Sequence, residues 1–255
     1  MKSLFIFLFI FTLAQASAQE VSPEQIQNWI FESISEMPRK GGYELTRRPV
    51  ERLRDAFSWR NESELNISTD GATPSYCTTA TYMVFYKVMQ KYWIQSGKLP
   101  LRKTLEIMKP NLENDGVRLW GRWNSNGPGT AKFFKDAKLG KNFDDIKKAR
   151  PGDFLKIFWN SEVGKLEKGH AVIYLGSETK NGVEMIKFWA SSRITDGYSE
   201  RTIPRADAVR MLFSRLESPE NMDNLSTLPQ TDTFLSSMLT KVSSWSEVRQ
   251  VSGIE

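Results

Sequence analysis

Short runs of apolar, β-branched and aromatic residues recur through the second half of the chain, separated by polar turns that contain glycine or proline. The runs are Phe154–Trp159, Ala171–Leu175, Val183–Ala190, Ser199–Ile203 and Val209–Leu216. Runs of this length between turn residues are typical of β-strands, and short connections favour antiparallel pairing. The pattern therefore predicts an antiparallel sheet of about five strands.

Helical spacing of apolar residues dominates the first half of the chain. Ser22 is a good N-cap residue before Pro23, and apolar residues then follow at helical spacing to about Met37. A stronger pattern follows Cys77, with Met83, Phe85, Val88, Met89 and Tyr92 on one face. It predicts a largely buried helix with Cys77 at its N-terminus. Shorter helices are predicted at Val50–Trp59, Leu101–Met108 and 131–139. The fold class is therefore α+β.

Between these elements the sequence is polar. We predict loops at Asn61–Pro74 and Trp120–Thr130, and a Ser/Thr-rich, partly mobile tail over 218–255. The resulting organisation is a segment 1–18, a helical extension 19–73, a main domain 74–217 with an insertion near 93–142, and the tail.

The N-terminus carries the pattern of a secretory signal peptide. A basic start at Lys2 precedes the apolar run Leu4–Leu13, and Ala16-Ser17-Ala18 provides a cleavage site. We expect a mature protein that is secreted, periplasmic or attached to the cell envelope. No later run reaches spanning length, so we expect no integral membrane segment after cleavage. We also expect a monomer.

Composition limits the chemistry further. The chain has a single cysteine and a single histidine, which exclude an internal disulfide and the usual zinc sites. It has no glycine-rich phosphate loop and no basic stripe with aromatic residues, so we predict no cofactor, no metal and no nucleic-acid partner. The net charge of +5 suits an anionic polymer such as a cell envelope.

Cys77 and His170 are candidates for a nucleophile and its base. A helix N-terminus gathers backbone N–H groups and the positive end of the helix dipole, which favour a thiolate and an oxyanion. Histidine is the most frequent partner of such a thiol. The alternatives are a small buried cysteine and a structural histidine on a strand.

These residues lie in motifs that resemble the NlpC-type papain-like peptidases and amidases of cell walls, with the CHAP amidases as near neighbours. The motifs are a cysteine that opens a buried helix, R-P-G-D at Arg150–Asp153, and G-H-A-V-I-Y-L-G at Gly169–Gly176. The resemblance covers about Pro74–Leu216. It implies a papain-like fold, with the cysteine-headed helix packed on the sheet, Cys77 as nucleophile and His170 as base. We expect Asp153 to form the turn before the strand.

The resemblance also implies a third polar residue on the next strand. Ser191 and Ser192 occupy that position, and Asp196 is an outside candidate. The expected reaction is acyl transfer to water, with the amide of Cys77 and the side chain of Tyr76 as oxyanion donors.

The Trp120–Thr130 stretch is a candidate substrate groove, in which Trp123, Asn124 and Asn126 would contact the substrate. The export signal and the resemblance together indicate peptidoglycan stem peptides as the substrate. Transglutaminase-like transfer or deamidation of a protein is a second possibility for the same dyad. A non-catalytic module that binds the envelope, with Cys77 buried, is the third.

Overall fold

The chain is α+β, and the computed structural model describes residues 21–254. The predicted signal peptide lies outside the described residues. The helices are α1 Pro23–Ser35, α2 Arg48–Ala56, α3 Cys77–Ser96, α4 Arg102–Met108, α5 Arg118–Asn124, α6 Gly129–Asp136, α7 Thr233–Ser237 and α8 Trp245–Ser252. The strands are β1 Lys40–Gly41, β2 Phe57–Asn61, β3 Glu64–Ile67, β4 Gly140–Phe143, β5 Phe154–Phe158, β6 Val163–Gly164, β7 Gly169–Lys180, β8 Val183–Ser192, β9 Gly197–Pro204, β10 Arg210–Leu216 and β11 Val242–Ser243.

The main sheet has seven antiparallel strands in the order β1-β9-β8-β7-β5-β10-β4. The predicted strands are its central members β5, β7, β8, β9 and β10, and the short strands β1 and β4 form its edges. β5 leaves the turn at Arg150–Asp153, where the Asp153 carboxylate accepts from the Arg150 amide at 2.7 Å. The predicted role of Asp153 as a turn former is therefore confirmed.

Helix α3 runs through the centre of the molecule and begins at Cys77, as predicted. Its residues from Thr78 to Val88 are buried on nearly every side, apart from the partly exposed Lys87. A helix that is apolar all round needs cover on all sides. The sheet supplies one side through β7 and β8, and α1, α2 and α5 supply the others.

The two faces of the sheet bury separate sets of side chains. The face toward α3 contributes Phe154, Ile173 and Trp189 to the larger cluster, which also holds the buried residues of α1 and α3. The opposite face buries a smaller second core that includes Leu155, Ile157, Val172, Tyr174, Phe188 and Phe213. The face on which a strand residue lies therefore determines whether it can reach the start of α3.

Both predicted loops contain regular structure. Strands β2 and β3 pair as a hairpin, so the predicted helix Val50–Trp59 ends at Ala56 and the predicted loop at Asn61–Pro74 contains β3. The stretch Trp120–Thr130 contains most of α5 and the start of α6. The apolar surface of Trp120 and Trp123, which are 1% and 2% exposed, holds α5 against the core despite the surrounding polar residues.

The tail is folded over its described residues, which differs from the predicted mobile segment. Asp232 and Ser244 cap α7 and α8 by accepting from backbone amides, so the polar residues of the tail define helix starts. Asp232 also pairs with the buried guanidinium of Arg122 at 2.9 Å and with Lys132 at 2.7 Å. Across residues 21–254, none of the helices combines the length and the apolar character needed to cross a membrane.

Candidate functional site

Cys77 occupies the first position of α3, and its neighbours fix the start of that helix. The Thr79 hydroxyl accepts from the backbone N–H of Tyr76 at 2.9 Å and donates to the Tyr76 carbonyl at 2.8 Å. This pair satisfies groups that the first helical turn leaves free. Cys77 is partly exposed, and its thiol lies next to the sheet, where the Ala171 amide donates to it.

Burial and nearby hydrogen-bond donors shift the pKa of the thiol in opposite directions. Burial has the largest effect and raises the pKa of Cys77, since a charged sulfur loses hydration inside the protein. Hydrogen bonds from the backbone amides of Ala171, Thr78 and Cys77 itself, together with the Lys156 ammonium, lower the pKa in opposition. The balance leaves the pKa raised. The thiol is therefore protonated at neutral pH in this conformation, with hydrogen-bond donors already directed at the sulfur.

His170 lies on the opposite face of the sheet. It stands directly across from Ile157 in the β5–β7 register, and residues that oppose each other in antiparallel strands share a face. Its ring packs in the second core, with centroid distances of 6.1 Å to Trp159 and 6.0 Å to Phe188. The side chain is 7% exposed, and the buried Nε2 atom has no hydrogen-bond partner. Burial, reinforced by the charges of Arg201 and Lys156, lowers the pKa of His170 to about 3.

The predicted contact between Cys77 and His170 is therefore not formed. Successive side chains of a strand point to opposite faces. Ile173 of β7 packs in the cluster that contains α3, so Ala171 shares the α3 face and His170 points away from it. The two residues are nevertheless neighbours through the backbone, because the Ala171 amide that donates to the thiol is bonded to the His170 carbonyl carbon.

The residues predicted to orient His170 make other contacts instead. Ser191 is fully buried and its Oγ accepts from Ser75 Oγ at 2.7 Å. Ser192 Oγ lies 2.9 Å from Thr195 Oγ1. Asp196 is an exposed turn residue with a positive φ of 50°. In this conformation Ser191 and Ser192 thus bond to other hydroxyls, and neither serves to orient His170.

Of the predicted substrate-contacting residues, Tyr76 and Asn124 lie at the start of α3. Asn124 Oδ1 accepts from the Tyr76 hydroxyl at 3.2 Å and from Thr78 Oγ1 at 2.6 Å. Asn126 instead fixes its own loop, since its amide donates to the Gly164 carbonyl at 3.1 Å. Trp123, predicted to contact the substrate, lies in the core. Its indole is buried among the aromatic residues there and donates to Thr81 Oγ1 at 3.1 Å.

Sequence reasoning missed a charged cluster beside Cys77. Lys156 stands opposite Ala171 in the β5–β7 register and therefore on the α3 face. Its ammonium lies 2.8 Å from Glu167 Oε1. Asp115 is close enough to be affected by both charges. Burial raises its pKa to about 6, and Lys156 opposes that rise. The available signal was Lys156 itself, the charged residue inside the apolar run Phe154–Phe158.

The arrangement offers a nucleophile and hydrogen-bond donors directed at it. Among the described residues 21–254 no group of three or more histidine, cysteine, aspartate or glutamate side chains is placed to hold a metal ion. Comparisons of the chain with protein-family models, with curated proteins and with solved structures gave no match. The functional argument therefore depends on the geometry around Cys77.

Proposed function

We propose that this chain is a secreted cysteine hydrolase that cleaves amide bonds, with peptidoglycan stem peptides as its substrate. The observation that carries the proposal is the convergence of the Cys77, Thr78 and Ala171 amides on the thiol at the start of α3. Donors placed there can stabilise a thiolate and then the oxyanion of a tetrahedral intermediate. Loss of one such donor typically costs about 3 kcal/mol of transition-state stabilisation.

In the proposed reaction, Sγ of Cys77 attacks the amide carbonyl, a C–S bond forms, and the thiol proton passes to a base. The base returns the proton to the leaving amine as the C–N bond breaks, and water then hydrolyses the thioester. Only a neutral imidazole can accept the thiol proton, and burial keeps His170 neutral at physiological pH.

His170 can act on Cys77 only if its ring leaves the second core. The β7–β8 ladder begins at Ile173 opposite Trp189, so Ala171 and His170 have no partner on β8. The Ala171 amide donates to the thiol instead of continuing that ladder. This end of β7 is therefore not held to β8 by ladder pairs, which supports a local rearrangement that brings the imidazole to the sulfur. We propose that substrate binding favours this second position of the ring.

The substrate class follows from the export signal, the charge and the sequence motifs. The predicted signal peptide would direct the chain out of the cytoplasm. The net charge of +5 becomes +4 when Lys2 is removed with that segment, and a basic excess suits an anionic wall polymer. Both features, together with the resemblance to cell-wall peptidases, support peptidoglycan as the substrate.

Digestion of purified sacculi tests the proposal. We expect the mature wild-type protein to release peptides with new amino termini, and we expect no release by Cys77→Ala or His170→Ala. Ser96→Ala, at the other end of α3, is the matched control and should digest sacculi as the wild type does. Equal release by wild type and Cys77→Ala would refute the assigned nucleophile.

A second candidate is a non-catalytic module that binds the envelope. The separation of Cys77 and His170 by the sheet, and the raised pKa of the thiol, favour it. In a sacculus sedimentation assay this candidate predicts that wild type and Cys77→Ala bind equally and that neither releases peptide.

A further inference from the structure

We infer that Lys156, held by Glu167, is a positioning residue whose ammonium stabilises the negative charge that develops on Cys77 and on the attacked carbonyl oxygen. This inference rests on the proposed function and names a residue that the predicted dyad did not include. A cation near a thiol stabilises the thiolate and so lowers the pKa of the thiol.

The first argument is position. Lys156 and Ala171 face each other across β5 and β7, and the Ala171 amide donates to the Cys77 sulfur. Lys156 also lines a small cavity together with Thr78 and Ala171, which places it beside the first turn of α3. Its side chain is only 17% exposed, so water screens its charge less than that of a surface lysine.

The second argument is that the ammonium is fixed. Glu167 is 1% exposed and uses Oε1 for Lys156 at 2.8 Å. Its other oxygen accepts from the backbone amides of Gly127 at 2.5 Å and Gly164 at 2.9 Å. The carboxylate is thereby anchored to two separate backbone segments, and the lysine that pairs with it has little freedom.

Gly169 provides the room for this pair. A Cβ atom at Gly169 would lie 2.5 Å from Lys156 Cε and 2.9 Å from its Nζ. Alanine at this position would therefore displace the flexible end of the lysine without changing its charge. This gives a second variant that tests the position of the ammonium and not only its presence.

Other charged and titratable groups also face Cys77 or Lys156. The phenols of Tyr43 and Tyr76 interact with Cys77, and burial raises the pKa of Tyr43 to about 12. Asp115 interacts with Lys156, Glu167 and Tyr76. Of these groups, Lys156 is the cation whose charge lowers the pKa of Cys77, against the rise caused by burial.

The test is the pH profile of alkylation of Cys77 by iodoacetamide, which is unambiguous because the chain has one cysteine. In Lys156→Met the midpoint should move to higher pH, and the rate below the midpoint should fall roughly tenfold, as expected when a nearby compensating charge is lost. Gly169→Ala should shift the midpoint in the same direction. Lys156→Arg, which retains the charge, should lie closer to wild type than Lys156→Met.

Lys141→Met is the matched control, since Lys141 is 57% exposed on the edge strand β4, and its profile should match wild type. A Lys156→Met profile that coincides with wild type in a folded protein would overturn the inference, even if hydrolysis were lost. If Lys156→Met does not fold, an unchanged profile in Gly169→Ala overturns it. Neither result touches the proposed function, which depends on sacculus digestion by wild type against Cys77→Ala.

Discussion

The buried, neutral state of His170 leads to a quantitative prediction about stability and pH. In the native protein the pKa of His170 is lowered to about 3, against an ordinary value of 6.5. Below pH 6.5 the unfolded chain binds a proton at this residue, whereas the native protein does so only near pH 3. The free energy of unfolding must therefore fall as the pH falls through this window.

The size of the effect follows from the two pKa values. Each pKa unit corresponds to about 1.4 kcal/mol, so lowering the pH from 7 to 5 should reduce the free energy of unfolding by about 2 kcal/mol through His170 alone. Other groups also titrate in this range. His170→Leu removes the titrating group while keeping an apolar side chain among Trp159 and Phe188.

Urea denaturation of wild type and His170→Leu at pH 7 and pH 5 measures the difference. We expect the pH-dependent loss of stability to be about 2 kcal/mol smaller in the variant. The ring signals of the single histidine provide an independent NMR titration, and they should stay in the neutral form down to pH 5. A ring that titrates at 6.5 or above would refute the buried position and would favour an ion pair with the Cys77 thiolate.

Three further predictions concern a core tryptophan, a buried ion pair and a buried carboxyl group. Trp123→Ala should cost about 3–5 kcal/mol of stability in urea denaturation, as expected for a large core side chain, and an unchanged midpoint would contradict the core assignment. Asp153→Ala leaves the Arg215 guanidinium without its two-point partner and should cost about 3–5 kcal/mol. For comparison, Glu200→Ala removes the exposed ion pair with Lys187 and should cost less than about 1 kcal/mol in the same assay. Asp115→Asn should stabilise the protein at pH 8 and much less at pH 4, because the pKa of Asp115 is raised from 3.8 to about 6 in the native protein and the resulting cost to stability builds up between these two pH values and is full above pH 6. Equal stabilisation at both pH values would show that ionisation is not the cause.

The central strands and the helix that begins at Cys77 were predictable because their sequences carry clear local signals. The five predicted runs became the middle of the sheet, and the buried helix α3 starts where the pattern placed it. What the sequence could not provide was the face on which each strand residue lies. The run Ala171–Leu175 is apolar at every position, so it lacks the alternation that distinguishes the two faces.

For this reason the position of His170 relative to Cys77 could not be read from the chain. It is decided by long-range register, namely the pairing of His170 with Ile157 and the packing of α3 on the other face.

The tail shows a different limit of prediction from sequence. Its Ser and Thr composition indicated mobility, but five apolar residues, Met222, Leu225, Leu235, Met238 and Val248, are buried in the described structure. The average composition of a segment does not reveal a few well-spaced apolar side chains, and these are enough to hold the tail against the rest of the protein.

The central claim is that Cys77 forms a thioester with the acyl part of a cleaved amide. The most direct measurement is intact-protein and peptide mass spectrometry after rapid acid quenching of a reaction with peptidoglycan stem peptides. We predict an added acyl mass located on the peptide that contains Cys77, removed by hydroxylamine and absent from Cys77→Ser under the same treatment. Release of cleaved peptide without any adduct on Cys77, at equal rates in wild type and Cys77→Ser, would contradict the account.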